Sequence, residues 1–259
     1  MAVCDGYKER GLLINVYHIA YAPTVKTVHL HFWGCNLNCR ACFKKYEITD
    51  LLLIKSEDAT FKISKKAQES PDRFLDLEEV MQILGRLEVR TIIFMGAEPA
   101  IDPKLPQLAE ALHKEFESYN ILLTNGFKLI NLEHIDEVVF SIKAVTDSLH
   151  RHYTGRSNRK ALANFVSLYK SGVKLRAESI FIPEYIDCPE IERIAQFIAE
   201  VDKNIPYRID AYFQVGDNPW RPPTPEEMDA PVRVAKKHLL NVSCLRGNAK
   251  PTYEGLRIF

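Results

Sequence analysis

The 259-residue sequence carries no surplus charge, since 34 Lys and Arg stand against 34 Asp and Glu. That balance argues against a general binder of phosphate backbones and leaves no clear nucleic-acid signal, although local basic patches stay open. No apolar run approaches the length of a membrane span, and the opening residues Met1-Ala2-Val3-Cys4-Asp5-Gly6 lack the basic-then-apolar order of a secretory leader. Cysteine is scarce, with six in all, and Cys4, Cys188 and Cys244 stand alone, so no paired disulfide framework is expected. Repeats and low-complexity segments are missing too. These absences predict a soluble cytoplasmic protein with no membrane partner. An apolar content of 46% suffices for one large α/β core.

What is present is a knot of three thiols. Cys35, Cys39 and Cys42 lie in Gly34-Cys35-Asn36-Leu37-Asn38-Cys39-Arg40-Ala41-Cys42, directly after the apolar stretch Val28 to Trp33. Thiolates favour soft metals, and a structural zinc site normally closes with four ligands. Three thiolates on a four-iron cluster leave one iron open, because such a cluster ordinarily takes four Cys. Zinc with a distant fourth ligand, or plain buried thiols, are the other readings of this run.

Downstream, strands and helices alternate. Strands are expected over about 27–33, then Val89 to Met95, Ile121 to Thr124, Val138 to Ile142, Val173 to Ile182 and Tyr207 to Phe213. Helices are expected over Leu75 to Leu87, opening with Asp76, over Leu105 to Phe116, over Ala161 to Tyr169, closed by Gly172, and over Ile191 to Val201. Six parallel βα units make an α/β fold of the partial (β/α)6 barrel kind, with chemistry at the carboxyl ends of the strands. The whole chain, 1–259, reads as one domain with an N-terminal extension 1–25, a candidate insertion 44–74 and a C-terminal cap 214–259. At the end of the second strand stands Gly96-Ala97-Glu98-Pro99, a small pair followed by an acid. There backbone can approach a ligand amine while carbonyls and a carboxylate accept its hydrogen bonds, though such a turn alone is an ordinary β-to-α connection.

The C-x3-C-x2-C spacing resembles the cluster loop of the radical S-adenosylmethionine (SAM) enzymes, and Gly96-Ala97-Glu98-Pro99 resembles their G-G-E-P motif, with Ala97 in place of the second glycine. Over about Val28 to Phe213 the chain is most similar to the pyruvate formate-lyase activating enzyme group, the activases of glycyl radical enzymes. Thr124-Asn125-Gly126-Phe127, Ile142-Lys143, His152 to Asn158, Gly172-Val173 and Ile182-Pro183 carry that likeness by their order. The resemblance implies an oxidoreductase with a [4Fe-4S] cluster on Cys35, Cys39 and Cys42 and SAM on the open iron. One electron from the cluster would cleave SAM to a 5′-deoxyadenosyl radical, which takes hydrogen from a substrate. It also implies that Gly96, Ala97, Glu98 and Pro99 hold the methionyl amine, that Thr124 and Asn125 belong to the SAM site, and that Lys143 meets the methionyl carboxylate. Ser141 falls at the ribose position. An electron donor such as ferredoxin or flavodoxin, anaerobic chemistry and a glycyl radical protein as partner follow from the same likeness, with a small molecule or another macromolecule as the alternative substrate.

The departures are informative. Ala41 replaces an aromatic residue beside the adenine, a role open to Phe43 or Trp33. Leu123 and Ser141 replace two aspartates that bind a monovalent cation, so that cation is not expected. Glu178 replaces an arginine and either hydrogen-bonds the ribose or pairs internally. Segment 44–74 adds no cysteine, so one cluster is expected. It reads as a solvated surface or as a lid. Trp220 and Arg221, in a Pro-fixed loop before a helix capped by Thr224, either recognise substrate or pack the barrel shut. Cys244 reads as an inert thiol, with a hydrogen donor or second-site ligand as the alternative.

Overall fold

The computed structural model describes residues 13–45, 68–214, 216–247 and 253–259. Residues 1–12 of the extension, 46–67 of the candidate insertion, with the lid reading placed on it, and 215 and 248–252 of the cap lie outside them.

Nine strands form one sheet in the order β8-β7-β6-β5-β4-β3-β2-β1-β9. They are β1 Val16–Ala22, β2 Thr27–Phe32, β3 Thr91–Gly96, β4 Tyr119–Thr124, β5 Glu137–Ser141, β6 Lys174–Phe181, β7 Tyr207–Ala211, β8 Val242–Leu245 and β9 Leu256–Arg257. Strands β2 to β8 run parallel, each beside its predecessor in sequence, while β1 pairs antiparallel with β2 and β9 antiparallel with β1. Parallel crossovers are right-handed, so strands laid down in sequence order send their helices to one face, and the sheet curls round the other as in a barrel. The six expected strands are β2 to β7. The structure adds a seventh parallel strand, β8, from the cap and an antiparallel flank, β1, from the extension.

The helices are α1 Leu77–Leu84, α2 Leu105–Phe116, α3 Asp147–Thr154, α4 Arg159–Lys170, α5 Cys188–Asp202 and α6 Asp229–Ala235. Asp76 caps α1 in a reciprocal box: its carboxylate accepts from Glu79 N at 2.8 Å, and Glu79 accepts from Asp76 N at 2.9 Å. Thr224 and Glu227 make the same exchange ahead of α6. The stretch His152 to Asn158, which the sequence placed before the helix at Ala161, begins inside an additional helix, α3, whose polar surface hides its period.

The two faces of the sheet differ in chemistry. Leu30, Phe32, Phe94, Leu122, Phe140, Phe181 and Ile209 are buried with the helices in the main core. In-register neighbours on the alternate positions are His31 and Met95, then Val139 and Arg176, then Glu178 and Arg208. Strand positions alternate sides. One face is therefore the oily core and the concave face is lined in part by charge.

Candidate active site

The thiol loop follows β2, and its shape is set by a helix end. The last four carbonyls of α3 lack helical partners. Gly155 N–H takes Arg151 O, while Arg40 Nε donates to His152 O at 2.8 Å, Arg40 N to Tyr153 O at 2.9 Å and Asn38 N to Thr154 O at 3.0 Å. Asn218 Nδ2 grips the same loop through Arg40 O at 3.0 Å. The residues flanking Cys39 are thereby fixed from two sides.

Cys35 is exposed, Cys39 buried and Cys42 half-buried. Burial pushes the Cys39 thiol up to about 11, with Lys143 opposing the shift and Cys42 and Cys35 adding to it. Burial also raises Cys35, against a hydrogen bond from Leu37 N–H at 3.4 Å and the charge of Lys143. The three thiols and Lys143 thus share one electrostatic neighbourhood. Among the described residues no three His, Cys, Asp or Glu side chains converge on a position for a single metal ion. A multi-iron cluster held through one thiolate per iron does not need that convergence. Asn125 Nδ2 donates to Cys35 Sγ at 3.6 Å, the outer hydrogen bond that steadies a ligating thiolate. Soft donors on a shaped loop, with N–H groups aimed at sulfur, fit an iron–sulfur cluster.

The Gly96-Ala97-Glu98-Pro99 turn lies beside this loop. Gly96 has φ +109, and a Cβ there would come within 2.6 Å of the Phe32 backbone, so only glycine lets β3 end against β2. Ala97 N donates to Phe32 O at 2.9 Å and Glu98 N to Gly34 O at 3.0 Å. The Glu98 carboxylate is buried and accepts from Thr124 Oγ1 at 2.7 Å, Asn125 N at 2.7 Å and Ala100 N at 3.1 Å. Burial raises its pKa and those hydrogen bonds counter it. Glu98, Pro99, Thr124 and Asn125 are therefore one buried brace between the ends of β3 and β4. Gly126, φ +73, turns the chain under Phe140 where a side chain would collide with that ring.

Lys143, half-buried after β5, forms no hydrogen bond or ion pair among the described residues, yet its charge reaches Cys35, Cys39, Glu98 and Asp210. Ser141 Oγ donates to Glu178, whose other oxygen takes Arg208 Nη2 at 2.9 Å. Arg208 also clasps Asp210, through Nε at 2.7 Å and Nη2 at 2.9 Å. Of the two readings of Glu178, the ion pair is present; its partner is Arg208, while Arg176 pairs with Glu137. Burial first, then Glu178, pushes Asp210 up to about 6 against the pull of Arg208.

Arg208 and Asp210 escaped notice in the sequence, although two charges at i and i+2 in an otherwise apolar strand mark one polar face. Trp220 stacks on Tyr185 at 4.1 Å and Arg221 holds Glu227 through two 2.7 Å bonds, so both are engaged within the protein. Cys244 lies beside Ile209 in register and packs against the core, on a strand six places along the sheet from β2. Of the two aromatics near the missing one, Phe43 is 38% exposed and Trp33 packs edge-on against Tyr17.

The sequence profile of the radical SAM superfamily matches residues 30–198. The chain belongs to the radical SAM superfamily. As a member it is an iron–sulfur enzyme, and the family implies SAM and a [4Fe-4S] cluster as its cofactors. A Methanocaldococcus jannaschii protein, provisionally named a glycyl-radical enzyme activating enzyme, is 26% identical over 248 residues, covering 90% of this chain and 85% of that one. Among solved structures, Streptococcus suis SuiB bound to S-adenosylmethionine aligns with TM-score 0.60 at 15% identity over 81% of this chain, which spans about half of SuiB, 47%. QueE from Escherichia coli gives 0.56 at 15% identity, covering 93% and 100% of the two chains. A domain of a Bacteroides vulgatus pyruvate-formate lyase-activating enzyme gives 0.51 at 13% identity, covering 60% and 98%. These likenesses establish a shared fold. No helix among the described residues is long and apolar enough to cross a membrane.

Proposed function

We propose that this radical SAM enzyme is an activase that installs a radical on a glycine of a partner protein, with the whole chain acting as one cytoplasmic, oxygen-sensitive unit. The observation that carries the site is the placement of Lys143, a cation with no described partner, within electrostatic reach of the thiol loop and the Gly96–Pro99 turn. Cys35, Cys39 and Cys42 would hold the cluster. When bound, cluster and SAM supply a one-electron cleavage of the sulfonium, with an electron from a ferredoxin or flavodoxin, and thereby a 5′-deoxyadenosyl radical that takes a hydrogen atom from the substrate.

The chain's own residues bind and orient. Lys143 meets the methionyl carboxylate as a charge-assisted hydrogen bond. The carbonyls of Gly96 and Ala97 receive the methionyl amine, because the Glu98 carboxylate is already committed to Thr124, Asn125 and Ala100, and Pro99 and Thr124 keep that brace rigid. Ser141 and Glu178 offer acceptors to the ribose hydroxyls, and Phe43 offers a ring to the adenine. Asn125 steadies Cys35. Leu123 and Ser141 supply no carboxylate for an alkali cation.

The similarity to the M. jannaschii protein supports the activase reading. A peptide with the sequence of a glycyl-radical loop, deuterated at the glycine α-carbon, tests it: deuterium in the 5′-deoxyadenosine product supports hydrogen abstraction there, and its absence alongside continued SAM cleavage removes it. The charged concave face at Glu178, Arg208 and Asp210 favours a second reading, a polar small molecule as substrate.

A further inference from the structure

The segment Ile142 to Thr146 joins β5 to α3 and carries Lys143, yet it belongs to no helix or strand. Irregular backbone of this kind holds one conformation only if side chains satisfy its polar groups. Glu190, on the first turn of α5, does so from one side. Its Oε1 accepts from Val145 N at 2.7 Å and Thr146 N at 2.8 Å, and its Oε2 from Thr146 Oγ1 at 2.6 Å. From the other side Asn158 Nδ2 donates to Ala144 O at 3.3 Å and to Val145 O. Glu190 is 2% exposed, and Arg193 Nε at 2.9 Å supplies its countercharge. Burial alone would raise its pKa, but the bonds from Thr146, Arg193 and Val145 hold it below the usual carboxylate range.

A glutamate three positions into a helix ordinarily turns back to the helix's own N-cap, here Asp187. Glu190 instead crosses to the β5 loop, while Asp187 serves Cys188 N and Glu184 N. An ionised carboxylate that is almost fully buried is costly to keep unless it makes several bonds, and all but one of the bonds to the Glu190 carboxylate come from Val145 and Thr146, on the segment that carries Lys143.

We propose that Glu190 is a positioning residue for SAM binding: by fixing Val145 and Thr146 it aims the Lys143 ammonium into the site, where it meets the methionyl carboxylate. The inference rests on the reading of Lys143 given above. Glu190 touches neither SAM nor the cluster; its effect passes through one side chain.

That restriction is what the test reads. SAM is titrated against the reduced, cluster-loaded protein and followed by the cluster's magnetic resonance signal, for wild type, Glu190→Gln, Lys143→Gln and the double variant. Glu190→Gln is expected to raise the SAM dissociation constant roughly five- to thirtyfold, part of the roughly ten- to hundredfold of a lost charge-assisted bond because Lys143 is misaimed rather than removed, with iron content unchanged. In the Lys143→Gln background the same change should add less than about twofold, because the group it aims is gone. An equal loss in both backgrounds would mean general loosening and would overturn the proposal. No loss with Glu190→Gln, while Lys143→Gln weakens binding, would overturn it and leave the Lys143 reading standing. Unchanged affinity in Lys143→Gln would remove both. If Glu190→Gln fails to fold, Thr146→Val, which deletes only the hydroxyl bond, takes its place with an expected loss of about threefold and the same dependence on Lys143.

Discussion

At the scale of single residues, Glu98 and Lys143 divide the work between holding the site and serving it. Glu98 accepts three hydrogen bonds in a buried place, and its removal would strand three donors. Glu98→Ala is expected to destabilise the cluster-free protein by about 3 kcal/mol or more, each stranded buried donor costing ~1–3 kcal/mol. Urea unfolding measures it, and a loss below ~1 kcal/mol would contradict the brace. Lys143 has no such structural duty, so Lys143→Gln should leave the urea midpoint near that of wild type. Its expected effect is on SAM, whose dissociation constant should rise roughly ten- to a hundredfold for a lost contact of ~1.5–3 kcal/mol.

Asp210 gives a pH signature. Its native pKa, near 6, lies above the ordinary value of 3.8, so between those values the folded protein holds more proton than the unfolded one. By linkage, stability then falls as pH rises through that window. Asp210→Asn removes the titrating group and should flatten the fall, since Glu178 still pairs with Arg208. Melting temperatures of the two proteins from pH 4 to pH 7 decide, and parallel curves would exclude the effect.

At the scale of elements, periodicity made most of the framework readable. Leu105 to Phe116 is apolar every third or fourth residue and forms α2 over that whole span, and Asp76 announced the start of α1. The six parallel strands were legible as short apolar runs, and those ahead of Gly34, Gly96 and Asn125 end in Gly or Asn turns. What was hidden had no period to read. Strand β8 is four residues long, β1 places His18 opposite His31 on the concave side, and α3 has much polar surface. The thiol triad and the Gly96–Pro99 turn could be found because they are contiguous. Glu190, Arg208 and the grip of Arg40 on α3 act between elements remote in sequence, and only the fold brings them to the site. The grip on α3 makes a prediction of its own. Arg40→Ala leaves His152 O without its partner and should lower the iron retained after desalting, while Arg151→Ala, which removes a surface pair with Asp147, should not.

For the whole molecule, a sheet wound in one direction gives a face for packing and a face for chemistry. The helices bury the first. Along the second, the thiol loop after β2, the turn after β3, Asn125 after β4, Lys143 after β5 and Glu178 with Arg208 on β6 and β7 follow one another in strand order. On the proposed reading, this arrangement offers a place for the cluster, then one for SAM, then a charged wall. The central claim is that one four-iron cluster on Cys35, Cys39 and Cys42 binds SAM at its open iron. The most direct measurement is the magnetic resonance spectrum of the reduced, anaerobically reconstituted protein with and without SAM. One four-iron signal per chain that changes on adding SAM and disappears in Cys39→Ala is the expected result; a signal indifferent to SAM, or one that survives in Cys39→Ala, would contradict it.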